Sequence, residues 1–190
     1  MANVTLTGRR VFSNLKSMKF TPWTDESTPG TDNVYDITNI VGDTTSVEQD
    51  DPEVNEIASE FTDAPLYENT TLGKKNFTCE CIDMQNEVLK GLFGWETDEN
   101  KNVYAPAAYK PLYCKVELAF NTTDDIIVLP KVKMNSKATL ASMRTDVSRG
   151  TISGTCYPAK VKGSSSGTAK TTDMAIIAKE NASTYTVTAA

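Results

Sequence analysis

The sequence predicts a mainly β, α+β protein: a sandwich or barrel of strands with one short helix. Most apolar runs alternate with polar residues, which is the two-residue period of a half-buried strand. These runs arrive at short spacing, bounded by Gly, Pro, Asn, Asp or Ser, as in sandwiches and barrels. One stretch alone, Phe77 to Trp95, changes from a period of two to a period of three and four. At 190 residues, with 39% hydrophobic and 23% charged, the chain fits a single domain over residues 1–190 that buries a core of its own.

The first candidate strands are "NVYDITNIV" (33–41), "VNEIASEF" (54–61) and "NFTCECI" (76–82). In the third, Cys79 and Cys81 share a face because they are two residues apart. The helix follows at once. Asp83 is expected to cap it, and Met84, Val88, Leu89 and Leu92 then fall on one face. Gly94 supplies a left-handed C-cap, with Phe93 or Trp95 sealing the end. A helix of about ten residues with a single apolar stripe has to lie against the β core.

In "LYCKVELAF" (112–120), Leu112, Cys114, Val116, Leu118 and Phe120 point one way, with Tyr113, Lys115, Glu117 and Ala119 opposite. "NTTDD" is a turn, and "IIVLP" a continuous apolar strand that Pro130 is expected to close. "GTISGTCYPAKV" (150–161), "MAIIAK" (174–179) and "STYTVTA" (183–189) complete the strands. "GSSSGTAK", from Gly163, reads as a flexible loop between two of them.

Several function classes are excluded. The chain has no histidine, which removes Ser-His-Asp and Cys-His nucleophilic systems and His-ligated metals from within it. "GLFGW" is not followed by Gly-Lys-Ser/Thr, and no G-x-G-x-x-G opens a helix after a strand. Asp98, Asn100 and Asn102 begin like a calcium loop, but Val103 stands where that loop needs glycine and Tyr109 where it needs glutamate. A polar turn is the expectation there. With 25 acidic residues, a carboxylate pair for acid-base work is not removed by composition, but no pattern selects one. The expectation is therefore no enzyme, no cofactor and no metal.

"MANVTLTGRRVFSNLKSMKF" carries two arginines without an apolar stretch after them, and no run approaches the roughly 18 apolar residues of a membrane span. The expectation is a protein made and kept in a cytoplasm, away from membranes. The four cysteines, Cys79, Cys81, Cys114 and Cys156, then read as reduced, small apolar residues, since C-x-C is not the spacing of a zinc site. The sequons at Asn3, Asn69, Asn76, Asn121 and Asn181 only report a composition rich in Asn and Thr.

Charge is distributed unevenly. Between Lys19 and Lys74 there is no basic residue, and the segment carries −13; the remainder carries +7, giving the total of −6. A solvated acidic face is one explanation. Self-complementarity is the other: an acidic surface on one copy meets a basic surface on the next and sets the register of head-to-tail assembly. Within the acidic third, "VGDTTSVEQDDPEVNEIASEFTDAPLYE" has weakly apolar positions diluted by acids, as expected of a long strand pair projecting beyond its own core. An arm at about residues 41–68 is expected. Asp43, Glu48, Asp50, Asp51, Glu53, Glu56, Glu60 and Asp63 are its candidate assembly residues, with Arg9 and Arg10 as basic candidates outside it.

The acidic arm followed by "GKKNFTCECIDMQNEVLKGLFGW" resembles, in the order of its features, the major tail tube proteins of long-tailed, siphovirus-like bacteriophages. The resemblance covers about the first two thirds of the chain. It implies a β-sandwich or barrel of the tail tube type with one short helix and a long β-hairpin arm. It also implies hexameric rings stacked into a virion tail tube, the conduit for DNA ejection, with assembly in the cytoplasm of the bacterial host. The implied partners are further copies of the chain, tape measure and tail terminator proteins, and DNA only as non-sticking cargo in a net-negative lumen. Tubes of contractile tails and of type VI secretion machines share that fold, so the machine stays open. A binding module for carbohydrate or a protein partner is the alternative, with Trp23, Trp95 and Tyr109 as a sugar platform if they cluster on one exposed face.

Overall fold

The computed structural model describes residues 12–57, 67–82, 84–108, 110–139 and 148–190. In chain order the elements are β1 (Leu15–Pro22), β2 (Tyr35–Ile37), β3 (Ser46–Gln49), β4 (Glu53–Ile57), β5 (Tyr67–Thr71), β6 (Lys75–Cys81) and α1 (Asn86–Phe93). There follow β7 (Glu96–Thr97), β8 (Val103–Tyr104), β9 (Leu112–Phe120), β10 (Ile126–Thr139), β11 (Arg149–Tyr157) and β12 (Ala159–Lys162). The last strands are β13 (Lys170–Thr172), β14 (Ala175–Ile177) and β15 (Thr186–Thr188). Mainly β structure with one α-helix among the described residues matches the fold class expected from the alternation.

The main sheet runs β2-β1-β9-β10-β11-β6-β3, with β14 also paired to the start of β10. It curls on itself. Phe20 on β1 and Phe77 on β6 are separated by β9, β10 and β11 in the sheet order, yet their ring centroids lie 6.1 Å apart. The chain after β2 spans the remaining gap: the Val41 N–H donates to the Glu80 carbonyl at 2.9 Å and the Ile82 N–H to that of Asn39 at 3.1 Å. The enclosed face is the apolar set that alternation selects. Met18, Phe20, Cys79, Cys114, Val116, Leu129, Val132 and Ile152 are each 0% exposed.

Helix α1 packs Val88, Leu89, Leu92 and Phe93 into that core, so the predicted stripe is the buried one. Two glycines allow the approach: a Cβ on Gly150 would stand 2.3 Å from the Phe93 ring, and one on Gly91 would stand 2.2 Å from the Tyr35 ring. Gly94 takes φ 69, and its N–H and that of Trp95 both turn back to the Leu89 carbonyl. The N-terminus departs from expectation. Asp83 lies outside the described residues, and the flanking residue is Gln85, with extended backbone and no side-chain cap bond.

Pro130 does not close its strand; β10 continues to Thr139. Leu129 pairs with Val116 but Val132 with Cys114, so one extra residue bulges out at the proline. A bulge leaves a backbone position outside the ladder, where a missing N–H costs nothing. Pro158 does break "GTISGTCYPAKV", into β11 of the main sheet and β12 of a second sheet ordered β13-β12-β15. The second sheet and β14 bury Val128, Val161 and Ile177 with Tyr185 and Val187 packed around them. "IIVL" thus contributes to cores on both faces of the main sheet, which is why it does not alternate.

Candidate assembly surface

The strand β3 lies along β6 with Ser46 opposite Thr78 and Gln49 opposite Lys75. The pair β4 and β5 has Glu53 opposite Thr71 and Ile57 opposite Tyr67. From Gln49 to Glu53 one strand advances by as many residues as the other retreats from Lys75 to Thr71, so the register is one and the same. This is a single long antiparallel ribbon, interrupted at residues 50–52 and 72–74. Its base belongs to the main sheet, whereas β4 and β5 pair only with each other among the described residues.

The interruption is held by specific contacts. The Asp50 N–H donates to the Lys74 carbonyl at 2.8 Å, and the Asn76 amide donates to both Asp50 carboxylate oxygens at 3.0 and 3.1 Å. A Cβ on Gly73 would stand 1.8 Å from the Asp50 carbonyl oxygen, so this crossing requires glycine. The ribbon exposes Leu72 (70%) at this interruption and Val54 (49%) and Tyr67 (55%) beyond it. The strands carry Glu53, Glu56 and Glu68 and no Lys or Arg. Among the described residues no strand pairs with either outer edge, whose backbone groups are left to form ladders elsewhere.

Of the residues expected in assembly, Glu48, Asp50, Asp51, Glu53 and Glu56 follow one another along this strand course, from β3 through the interruption into β4. Glu48, Asp50, Asp51 and Glu53 are exposed. Asp43 stands apart, in the turn before β3 with φ 60. Glu60, Asp63, Arg9 and Arg10 lie outside the described residues.

A lysine pair that sequence reading did not single out lies on one face of the second sheet, Lys160 and Lys162 on β12, with Lys170 of β13 on the opposite face beside Val161. The strands of this sheet carry Lys160, Lys162 and Lys170 and no acid. The signal was present as "AKVK", where lysines alternate with the buried Ala159 and Val161. Beside its edge strand β15, a cleft of about 610 Å³ is lined by Lys19, Thr21, Val34, Lys115, Thr186 and Thr188, among others. Thr21 is 2% exposed and its hydroxyl has no hydrogen-bond partner. Lys115 pairs with Glu117 at 2.7 Å, and Glu117 also accepts the Tyr185 hydroxyl. Burial and that carboxylate push the Tyr185 hydroxyl pKa upward.

Other groups are occupied structurally. The Asp98 carboxylate accepts the Asn102 N–H at 2.8 Å, the Asn102 amide at 2.7 Å and the Tyr104 hydroxyl at 3.0 Å, closing the β7–β8 turn. The Asn102 side-chain bond leads the causes that lower its pKa. No cluster of metal-ligating side chains occurs among the described residues. All four cysteines are buried thiols, and burial pushes Cys114 and Cys156 up to about 12 and Cys79 higher still, so these three stay protonated at neutral pH.

Trp23 is 5% exposed. Its indole N–H donates to the Pro130 carbonyl at 3.1 Å, while the Lys131 ammonium lies 5.1 Å from its ring and 4.8 Å from that of Tyr113. Trp95 packs against the main core, and Tyr109 lies outside the described residues. The tryptophans are packing residues and supply no exposed sugar platform.

No family model matches the chain, and no curated protein matches it. Among solved structures, the chain is similar to a chain in the six-fold symmetrised cryo-electron microscopy structure of the anti-feeding prophage baseplate. The TM-score is 0.41 at 11% identity, covering 92% of this chain and 99% of that one.

Proposed function

We propose that this chain is a non-enzymatic structural subunit of a phage-type tail, self-assembling into stacked hexameric rings that form the tail tube, the conduit for DNA. The β4–β5 ribbon carries the reading. A two-stranded ribbon alone in water is marginal, and this one combines outer edges that no described strand pairs, exposed Val54, Tyr67 and Leu72, and acids on strands that carry no Lys or Arg. A neighbouring copy would supply the missing pairing, and the acids would keep the free subunit soluble until it arrives. Tape measure and terminator proteins would bound such a tube, and DNA would pass through it without adhering.

Electron microscopy and analytical sedimentation of purified protein test this directly. Rings or tubes are expected at low to moderate salt. Compact monomers alone, at every concentration reached, would overturn the proposal.

A further inference from the structure

The ribbon is acidic and incomplete, and the second sheet is basic and incomplete. Lys160 and Lys162, which share one face of β12 beside β15, make no ion pair among the described residues. They stand on a strand that holds no acid, opposite in sign to Glu53, Glu56 and Glu68. Among the described residues β15 pairs only with β12, and no strand pairs with its other edge or with the outer edges of β4 and β5.

The cleft along β15 adds an independent observation. Lys19, opposite Asp36 and Glu117 in the ladders, makes no ion pair there. Val34 lies at the cleft 53% exposed. An extended segment lying beside β15 would cover the valine and bring a carboxylate to the ammonium.

We infer that the β15 edge and its adjoining cleft receive the acidic β4–β5 ribbon of a second copy, added edge to edge so that the small sheet is extended across the subunit boundary. This rests on the assembly reading above and names the surface that completes it. Backbone hydrogen bonds supply the pairing, and the opposed charges of ribbon and sheet set which edges meet.

Protein bearing K160E and K162E together is expected to need at least about tenfold more protein to assemble than the wild type; adding E56K and E68K is expected to restore the threshold to within about threefold. If the double reversal does not fold by circular dichroism, the glutamine versions of the same lysines serve, with a smaller rise in the same direction. A mixture of Val54→Cys and Thr188→Cys proteins is expected to form a mixed disulfide dimer on assembly, because the native thiols are buried. If the wild type assembles but neither lysine variant raises the threshold and no mixed disulfide forms, this docking is overturned and the assembly reading stands. If the wild type does not assemble at all, both fall.

Discussion

Replacing Leu92 and Leu72 by alanine, one at a time, separates what holds the subunit together from what it offers its neighbours. Leu92 is 1% exposed on the core face of α1, whereas Leu72 is 70% exposed just after β5. A buried Leu→Ala change loses the transfer term and leaves a cavity, about 2–5 kcal/mol. In a domain of this size each kcal/mol moves the melting temperature by about 2–4 °C, so Leu92→Ala is expected to lower it by about 5–15 °C. Leu72 has only about a third of its surface to lose and leaves no cavity, so the cost is under about 1 kcal/mol and the shift within about 3 °C. The assay is thermal unfolding at a concentration too low for assembly, paired with sedimentation at a high one. Leu72→Ala should raise the assembly threshold while melting like the wild type. Equal melting shifts in the two variants, or a Leu92→Ala shift under about 3 °C, would refute the seating of α1 as the anchor of the fold.

Asp50→Lys with Asp51→Lys is expected to weaken assembly more than it lowers the melting temperature, and equal loss of both in sedimentation and melting would count against the ribbon as an assembly element. Trp23→Phe leaves the Pro130 carbonyl without its donor and is expected to cost about 1–3 kcal/mol, read as a lower midpoint in denaturant. Alkaline pH should destabilise the fold. Cys114 and Cys156 titrate at about 12 when folded against an ordinary 9.0, so the unfolded chain loses protons that the native one keeps. Their stabilisation is complete below about pH 9 and is lost between there and about pH 12, with Tyr185 acting in the same direction. Melts taken from about pH 8 to about pH 11 should fall in temperature, with a shallower slope in Cys114→Ala, and a flat profile would overturn this.

The sequence made the enclosed face of the main sheet legible, because Cys114, Val116 and Leu118 sit in strict alternation and the stripe of α1 keeps a helical period. It did not reveal β1. In "LKSMKFTP" the lysines interrupt the apolar set, and only the packing of Met18 and Phe20 against the core shows which face is inside. Pro130 misled because a bulge is a property of the pairing with β9, not of the proline's own neighbours. The acid-rich stretch was visible from charge alone. The lysine pair beside β15 was not, since β12 and β15 are brought together only by their pairing.

The shared register of the two halves of the ribbon constrains how its length can vary. Adding or removing one residue in 50–52 without the same change in 72–74 would slide β4 by one position along β5 and exchange its two faces. Val54 would then point where Glu53 and Asn55 point now. Insertions are therefore tolerable only as matched pairs, one in each strand, and lengthening the ribbon in such steps would alter its reach while keeping its faces in place.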